Sequence, residues 1–168
     1  YYTIFGPCVF SGLDSEYYAI FKRNIKTGEE IVLAGPYSTI NIYKNILLGS
    51  KDNYVEKISK TGKTKKLALG RSPIGIGNSI YYIGLKEVYN GSYATGYKGI
   101  GLYKMNVNGK RKELVKKGIN SWLGASGKNL YYMNNDDPGM YYISNDNKWI
   151  NVKTGKPESS VILSYLYD

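Results

Sequence analysis

Thirteen carboxylates, one thiol and no imidazole are what this 168-residue chain offers for reaction chemistry. The missing histidine removes the commonest general base, the usual catalytic triads and most transition-metal sites. Cys8 has no second cysteine for an intrachain disulfide or a zinc-thiolate cluster. With no histidine to activate it, Cys8 reads as a small apolar core residue rather than a nucleophile. Glycoside hydrolysis needs two carboxylates facing one substrate at a set separation. Asp14, Glu16, Glu29, Glu30, Asp52, Glu56, Glu87 and Glu113 mostly adjoin turns or strand ends, and no pair among them stands out. The oxygen-rich run Asn134 to Gly139, with Asp136 and Asp137 as its calcium candidates, lacks the alternating ligand spacing of a calcium loop and reads as a turn. Gly75-Ile76-Gly77 precedes a strand turn, not a helix, so it does not make a nucleotide loop. The expectation is therefore a chain without catalytic residues, cofactor or metal, and not an enzyme.

Recognition chemistry is better supplied. Tyrosine accounts for 19 of the aromatic residues against 3 phenylalanines and 2 tryptophans. Its ring gives contact area at low entropic cost while the hydroxyl hydrogen-bonds. Tyr89, Tyr93 and Tyr97 recur every four residues in a stretch rich in glycine and polar residues, the first place to look for binding. Trp122 and Trp149 are the second candidates, as platforms for a sugar ring.

A net charge of +10 raises the matter of a polyanionic partner such as nucleic acid, anionic lipid or acidic cell-wall polymer. Nearly all of the excess is lysine, with only Arg23, Arg71 and Arg111 as arginines. Base reading and bidentate phosphate contacts favour arginine, so nucleic acid is not expected. Lys63, Lys65 and Lys66 form one local group, and Lys110, Arg111, Lys112, Lys116 and Lys117 form another. Both sit at strand ends and edges, where lysine discourages strand-to-strand aggregation. Electrostatic association with an anionic cell-wall polymer remains the open partner on this account. No run of apolar residues is long enough to span a bilayer as a helix. A chain that begins at Tyr1 reads as a mature product or an excised piece.

The elements that must position these residues are repeats. One recurs as Arg23-Asn-Ile-Lys-Thr-Gly28, Lys57-Ile-Ser-Lys-Thr-Gly62, Lys104-Met-Asn-Val-Asn-Gly109 and Asn151-Val-Lys-Thr-Gly155. A Thr-Gly or Asn-Gly pair between apolar segments is a hairpin signal, because glycine reaches positive φ without a Cβ clash. Another recurs as Ile42 to Leu48, Ile76 to Ile83 and Ala125 to Met133, each a turn followed by a strand with paired large apolar residues. The turn glycines lie 34, 47 and 46 residues apart, close to the period of propeller blades. The stretch Gly84 to Gly101, which holds the three tyrosines, reads as a long inter-strand loop inserted into one repeat. Period-two patterning and frequent turn residues leave almost no room for helix.

The pattern Ile-Tyr-Tyr-Ile (80–83) followed by Gly-Leu-Tyr-Lys-Met-Asn-Val-Asn-Gly-Lys (101–110) resembles the blades of low-density-lipoprotein-receptor-like β-propellers of the Tyr-Trp-Thr-Asp type. It is more similar still to bacterial domains of unknown function that share the pattern. The resemblance covers roughly Ile40 to Gly155. Tyr81-Tyr82 and Tyr131-Tyr132 stand at the matching places, but no Trp-Thr-Asp follows, so the receptors' calcium and partner sites do not carry over. The bacterial relatives imply a secreted or cell-surface location.

The chain is thus expected to be a single all-β, β-propeller-like domain over residues 1–168, of about four blades of short antiparallel strands. Its approximate units are 1–35, 36–70, 71–118 and 119–160. Residues 161–168 would supply the strand that the first unit lacks and close a small ring, unless the chain is part of a larger propeller. The function expected is a binding or scaffold module that engages a protein or glycan through inter-strand loops. The alternative is a carbohydrate-binding or cell-wall-associated domain accompanying a catalytic domain elsewhere.

Overall fold

A computed structural model describes the backbone of residues 2–8, 17–120, 122–126, 129–133, 140–143 and 149–151. Among the described residues there are fourteen strands, every pairing is antiparallel, and no helix occurs. The first sheet is β1 (Tyr2–Cys8), β2 (Tyr17–Arg23) and β3 (Glu30–Tyr37) in that order. The second comprises β4 (Thr39–Tyr43), β5 (Ile46–Lys51), β6 (Tyr54–Ile58), β7 (Thr64–Ile76), β8 (Ser79–Asn90), β9 (Tyr93–Asn106) and β10 (Glu113–Lys117), again in sequence order. The third is β11 (Trp122–Ser126), β12 (Asn129–Met133), β13 (Met140–Ile143) and β14 (Trp149–Asn151).

The seven-stranded sheet is two four-stranded ribbons joined by one strand. Residues Thr64 to Leu69 of β7 pair with β6, and residues Gly70 to Ile76 pair with β8. The chain therefore leaves one ribbon as its outer strand and enters the next as its inner strand without a connecting loop. The all-β expectation holds. Val161 to Tyr167, expected to close a ring, lie outside the described residues, as do Gly155 and the turn Asn134 to Gly139. Cys8 ends β1, opposite Tyr17.

Among the described residues no ribbon has a core of its own. The three apolar clusters each draw on two successive ribbons. Ile20 and Tyr37 meet Leu47 and Ile58. Leu48, Val55, Leu67 and Ala68 meet Ile80, Tyr82 and Met105. Ile74, Ile83, Leu85 and Leu102 meet Ile119, Leu123, Leu130 and Tyr132. This explains the paired apolar residues of the sequence. Neighbouring side chains on a strand point to opposite faces, so Leu47 and Leu48, or Tyr82 and Ile83, serve different seams. At about 25 cal/mol per Å² of apolar surface, burial at these seams is the main favourable term for the fold.

The hairpin turns follow one plan. Ser59 Oγ accepts hydrogen bonds from the backbone N–H of Thr61 and Lys63, and Asn106 Oδ1 accepts those of Asn108 and Lys110. Asn24 Oδ1 likewise accepts from Lys26 N–H, but this turn is one residue longer, closing from Asn24 N–H to the Glu29 carbonyl. Gly62 and Gly109 carry φ of +82° and +81° and press on the ribbon before them: a Cβ on Gly62 would stand 2.3 Å from the Leu33 carbonyl oxygen, and one on Gly109 3.0 Å from Leu67 Cδ2. Tyrosine rings fill the room that other glycines leave. A Cβ on Gly49 would meet the Tyr37 ring at 2.5 Å, and one on Gly84 the Tyr103 ring at 2.5 Å.

The expected loop at Gly84 to Gly101 is not a loop. β8 and β9 stay paired from Ser79↔Asn106 out to Asn90↔Tyr93, with only two register shifts. Glycines and polar residues mimic a loop here because the arm is solvated on both faces, so no apolar alternation marks it.

Candidate binding site

The outer part of the β8–β9 hairpin, residues 86–98, forms an arm whose side chains are exposed almost throughout. Four large apolar or aromatic residues lie on it nonetheless: Val88, Tyr89, Tyr93 (81% exposed) and Tyr97. Its two strands are joined through Gly91 and Ser92, with Gly91 at φ +62°.

Register decides which of these residues can act together. Tyr89 pairs with Ala94 and Val88 with Gly96, leaving Thr95 as a bulge. Thr95 Oγ1 donates to the Val88 carbonyl at 3.1 Å and fixes it. The extra residue turns the rest of β9 over, because side-chain period is two and a slip of one exchanges faces. Glu87, Tyr89 and Tyr97 consequently share one face, while Tyr93 lies on the other beside Asn90 and Val88. The even spacing of the three tyrosines does not place them together.

On the first face Tyr89 donates its phenolic hydrogen to Glu87 Oε2, and Tyr97 donates to Glu87 Oε1 at 3.5 Å. The bond to Glu87, reinforced by its negative charge, holds the Tyr89 phenol above its ordinary pKa. Tyr97 is also raised, by desolvation first and then by the Glu87 charge and the neighbouring Tyr54 phenol. Both phenols thus stay protonated donors across the neutral range. Tyr54 starts β6 on the preceding ribbon, and Lys66 Nζ rests 4.1 Å from its ring centroid, a cation–π contact. Ring faces, a carboxylate acceptor, phenolic donors and an ammonium are what a polar, ring-bearing or peptide ligand would use.

Glu87, Tyr54 and Lys66 were not singled out by the sequence reading as members of this group. Glu87 carried a usable signal, since it stands two residues before Tyr89 and so shares its face. Tyr54 and Lys66 come from another ribbon, and nothing local in the sequence joins them to the arm. Trp122 begins β11, opposite Met133, and Trp149 begins β14, opposite Ile143. The two tryptophans are thereby on the first and last strands of the third sheet, and their side chains lie outside the described residues. Among the described residues no group of histidine, cysteine, aspartate and glutamate is arranged to hold a metal ion. No helix among them is long and apolar enough to cross a membrane.

No protein-family model matches the chain, and no curated protein matches it in sequence. A solved structure does match in fold. The crystal structure of the tricorn protease superposes with a TM-score of 0.52 at 14% identity, over 85% of this chain and 15% of that one. This likeness supports a propeller-like all-β fold and does not reach the low-density-lipoprotein-receptor type. It also corrects one expectation. The absence of catalytic signatures suggested a chain that is not an enzyme, but its structural neighbour is a protease, so that exclusion does not stand. At 14% identity the likeness carries fold alone and assigns no activity. The chain spans about 15% of the length of that protein.

Proposed function

We propose that this chain is a binding module of propeller-like repeats that engages a protein or glycan through the β8–β9 arm. The observation that carries the reading is the arm itself. A hairpin paired to its tip extends beyond the packed scaffold and keeps Tyr89, Tyr93 and Tyr97 at 57%, 81% and 42% exposure. Exposed aromatic side chains on a polar arm contribute nothing to the seams, and tyrosine offers a partner contact area at low entropic cost. The finer form of the proposal is a ring of about four blades of the receptor-like type, or a section of a larger propeller. It would be displayed on or secreted from a bacterial cell, with Trp122 and Trp149 as secondary stacking positions for a sugar.

A second reading is favoured by the neighbour's dimensions. A chain that matches 15% of a protease would serve as an accessory segment of a longer polypeptide, binding carbohydrate or cell wall for a catalytic region elsewhere.

A glycan array probed with the natural chain, Tyr97→Ala and Tyr93→Ala separates glycan from protein recognition. Glycan binding is expected to fall at least tenfold in Tyr97→Ala with an unchanged melting temperature. A glycan signal indifferent to both substitutions would remove the arm from the proposal, and no glycan signal at all would leave a protein ligand as its content.

A further inference from the structure

The seam between the second and third ribbons holds a recess of about 280 Å³, lined by Lys57, Ser59, Lys63, Thr64, Lys65, Leu67 and Asn108. It lies between the β6–β7 turn and the β9–β10 turn of the next ribbon. Three of its lining residues are lysines and none is a carboxylate.

The corresponding ladder position of the other repeats carries a different charge. The β6–β7 pair is bulged at Leu67 and the β9–β10 pair at Val115, so their registers correspond: Lys57↔Lys65 in the one, Lys104↔Glu113 in the other. In the third ribbon the two charges are opposite and joined, Lys104 Nζ lying 2.5 Å from Glu113 Oε1. In the first ribbon, bulged at Leu33, the corresponding pair is Lys22↔Ile31. Of these three corresponding positions, that of the second ribbon is the one with two lysines directly across from each other; the pair Lys86↔Lys98 of the third ribbon lies elsewhere, on the exposed arm. Like charges in that position repel, and Lys63 adds a third positive charge at the same mouth. The nearest acid in the pairing, Glu56, is buried and accepts a hydrogen bond from Tyr37 at 3.2 Å. Lys66, opposite Glu56, is engaged with the Tyr54 ring. Among the described residues no carboxylate forms an ion pair with Lys57 or Lys65.

We infer that this recess binds a phosphate-class oxyanion. The lining residues Lys57, Lys63 and Lys65 carry ammonium donors and Thr64 and Asn108 further polar groups, and a tetrahedral dianion has the charge and the acceptors to engage several of them at once. The pairing of Lys57 with Lys65 places two of the donors on one face of a fixed ribbon. The inference is independent of the tyrosine arm.

The test is calorimetric titration and thermal melting with inorganic phosphate, at ionic strength held constant with sodium chloride. Phosphate should raise the melting temperature and titrate to one site. Lys57→Gln should weaken it at least fivefold. Lys65→Glu, which writes the third ribbon's ion pair into the second, should abolish the response and melt higher than the natural chain in phosphate-free buffer. Lys104→Gln, at the corresponding place in the third ribbon, should leave phosphate binding unchanged. Inorganic polyphosphate distinguishes a polymer from a free anion: binding at least tenfold tighter per chain would identify a phosphate-bearing polymer, and equal affinity per phosphate a small anion. Stabilisation by sodium chloride equal to that by phosphate, or an undiminished response in both Lys57→Gln and Lys65→Glu, would overturn the inference.

Discussion

The base and the tip of the β8–β9 hairpin are made from the same two strands in one ladder, yet they obey different rules. At the base, Ile80, Tyr82, Ile83, Leu102 and Met105 are buried, and the strands are pressed on both faces by neighbouring ribbons. Beyond Leu85 the neighbours end while the ladder continues to Asn90↔Tyr93. Backbone pairing alone therefore does not make a core; contact with a second ribbon does. The tip keeps its aromatic residues Tyr89, Tyr93 and Tyr97 exposed.

The largest effect that should separate the two regions is cavity formation. Ile83→Ala, at the third seam, is expected to cost about 3 kcal/mol, and Val88→Ala at the tip less than about 0.5 kcal/mol, read by urea unfolding. An equal cost at both places would break the comparison. Next comes the glycine contrast. Gly84→Ala places a methyl group 2.5 Å from the Tyr103 ring and should cost about 1–3 kcal/mol. Gly91→Asn meets nothing within 4 Å, and asparagine tolerates its φ of +62°, so stability should move by less than about 0.5 kcal/mol.

A pH series sharpens the same comparison. Desolvation, with a smaller contribution from Tyr103, pushes the Tyr82 phenol up to about 12. A phenol whose folded pKa exceeds its unfolded value contributes stability that is intact below the unfolded pKa of about 10 and lost as pH rises through the folded one. The melting temperature should thus fall between about pH 10 and pH 12, and Tyr82→Phe should flatten part of that fall. The smallest effect is expected of Tyr93→Ala: stability within about 0.5 kcal/mol of the natural chain by urea unfolding, whatever its effect on binding.

Much of the scaffold was readable from residue types. Paired apolar residues such as Leu47-Leu48 marked recurring strands, and the turn glycines marked hairpins; that both members of a pair are buried, on opposite faces, came from the structure. Three things were hidden, two of them by single residues. The first turn is longer by one, so aligning Gly28 with Gly62 sets Arg23 against Lys57, whereas the turn side chains Asn24 and Ser59 and the bulges at Leu33 and Leu67 set Lys22 there. The bulge at Thr95 reversed the face of Tyr97 relative to Tyr93. The arm itself looked like a loop, because a ladder wet on both sides has no hydrophobic period to display. Of the candidate site, Tyr89 and Tyr97 could be listed from composition, but their union at Glu87 depended on register. Tyr54 reached them from another ribbon, a proximity that only folding creates.

The passage of β7 from one ribbon into the next, with no slack at Gly70, has a mechanical consequence. A strand shared by two sheets transmits tension directly, so neither can fray while the other stays whole. Under load the middle of this chain should yield in one step rather than two, behaving as a single spring from Thr39 to Lys117 where loop-linked neighbours would give way in turn.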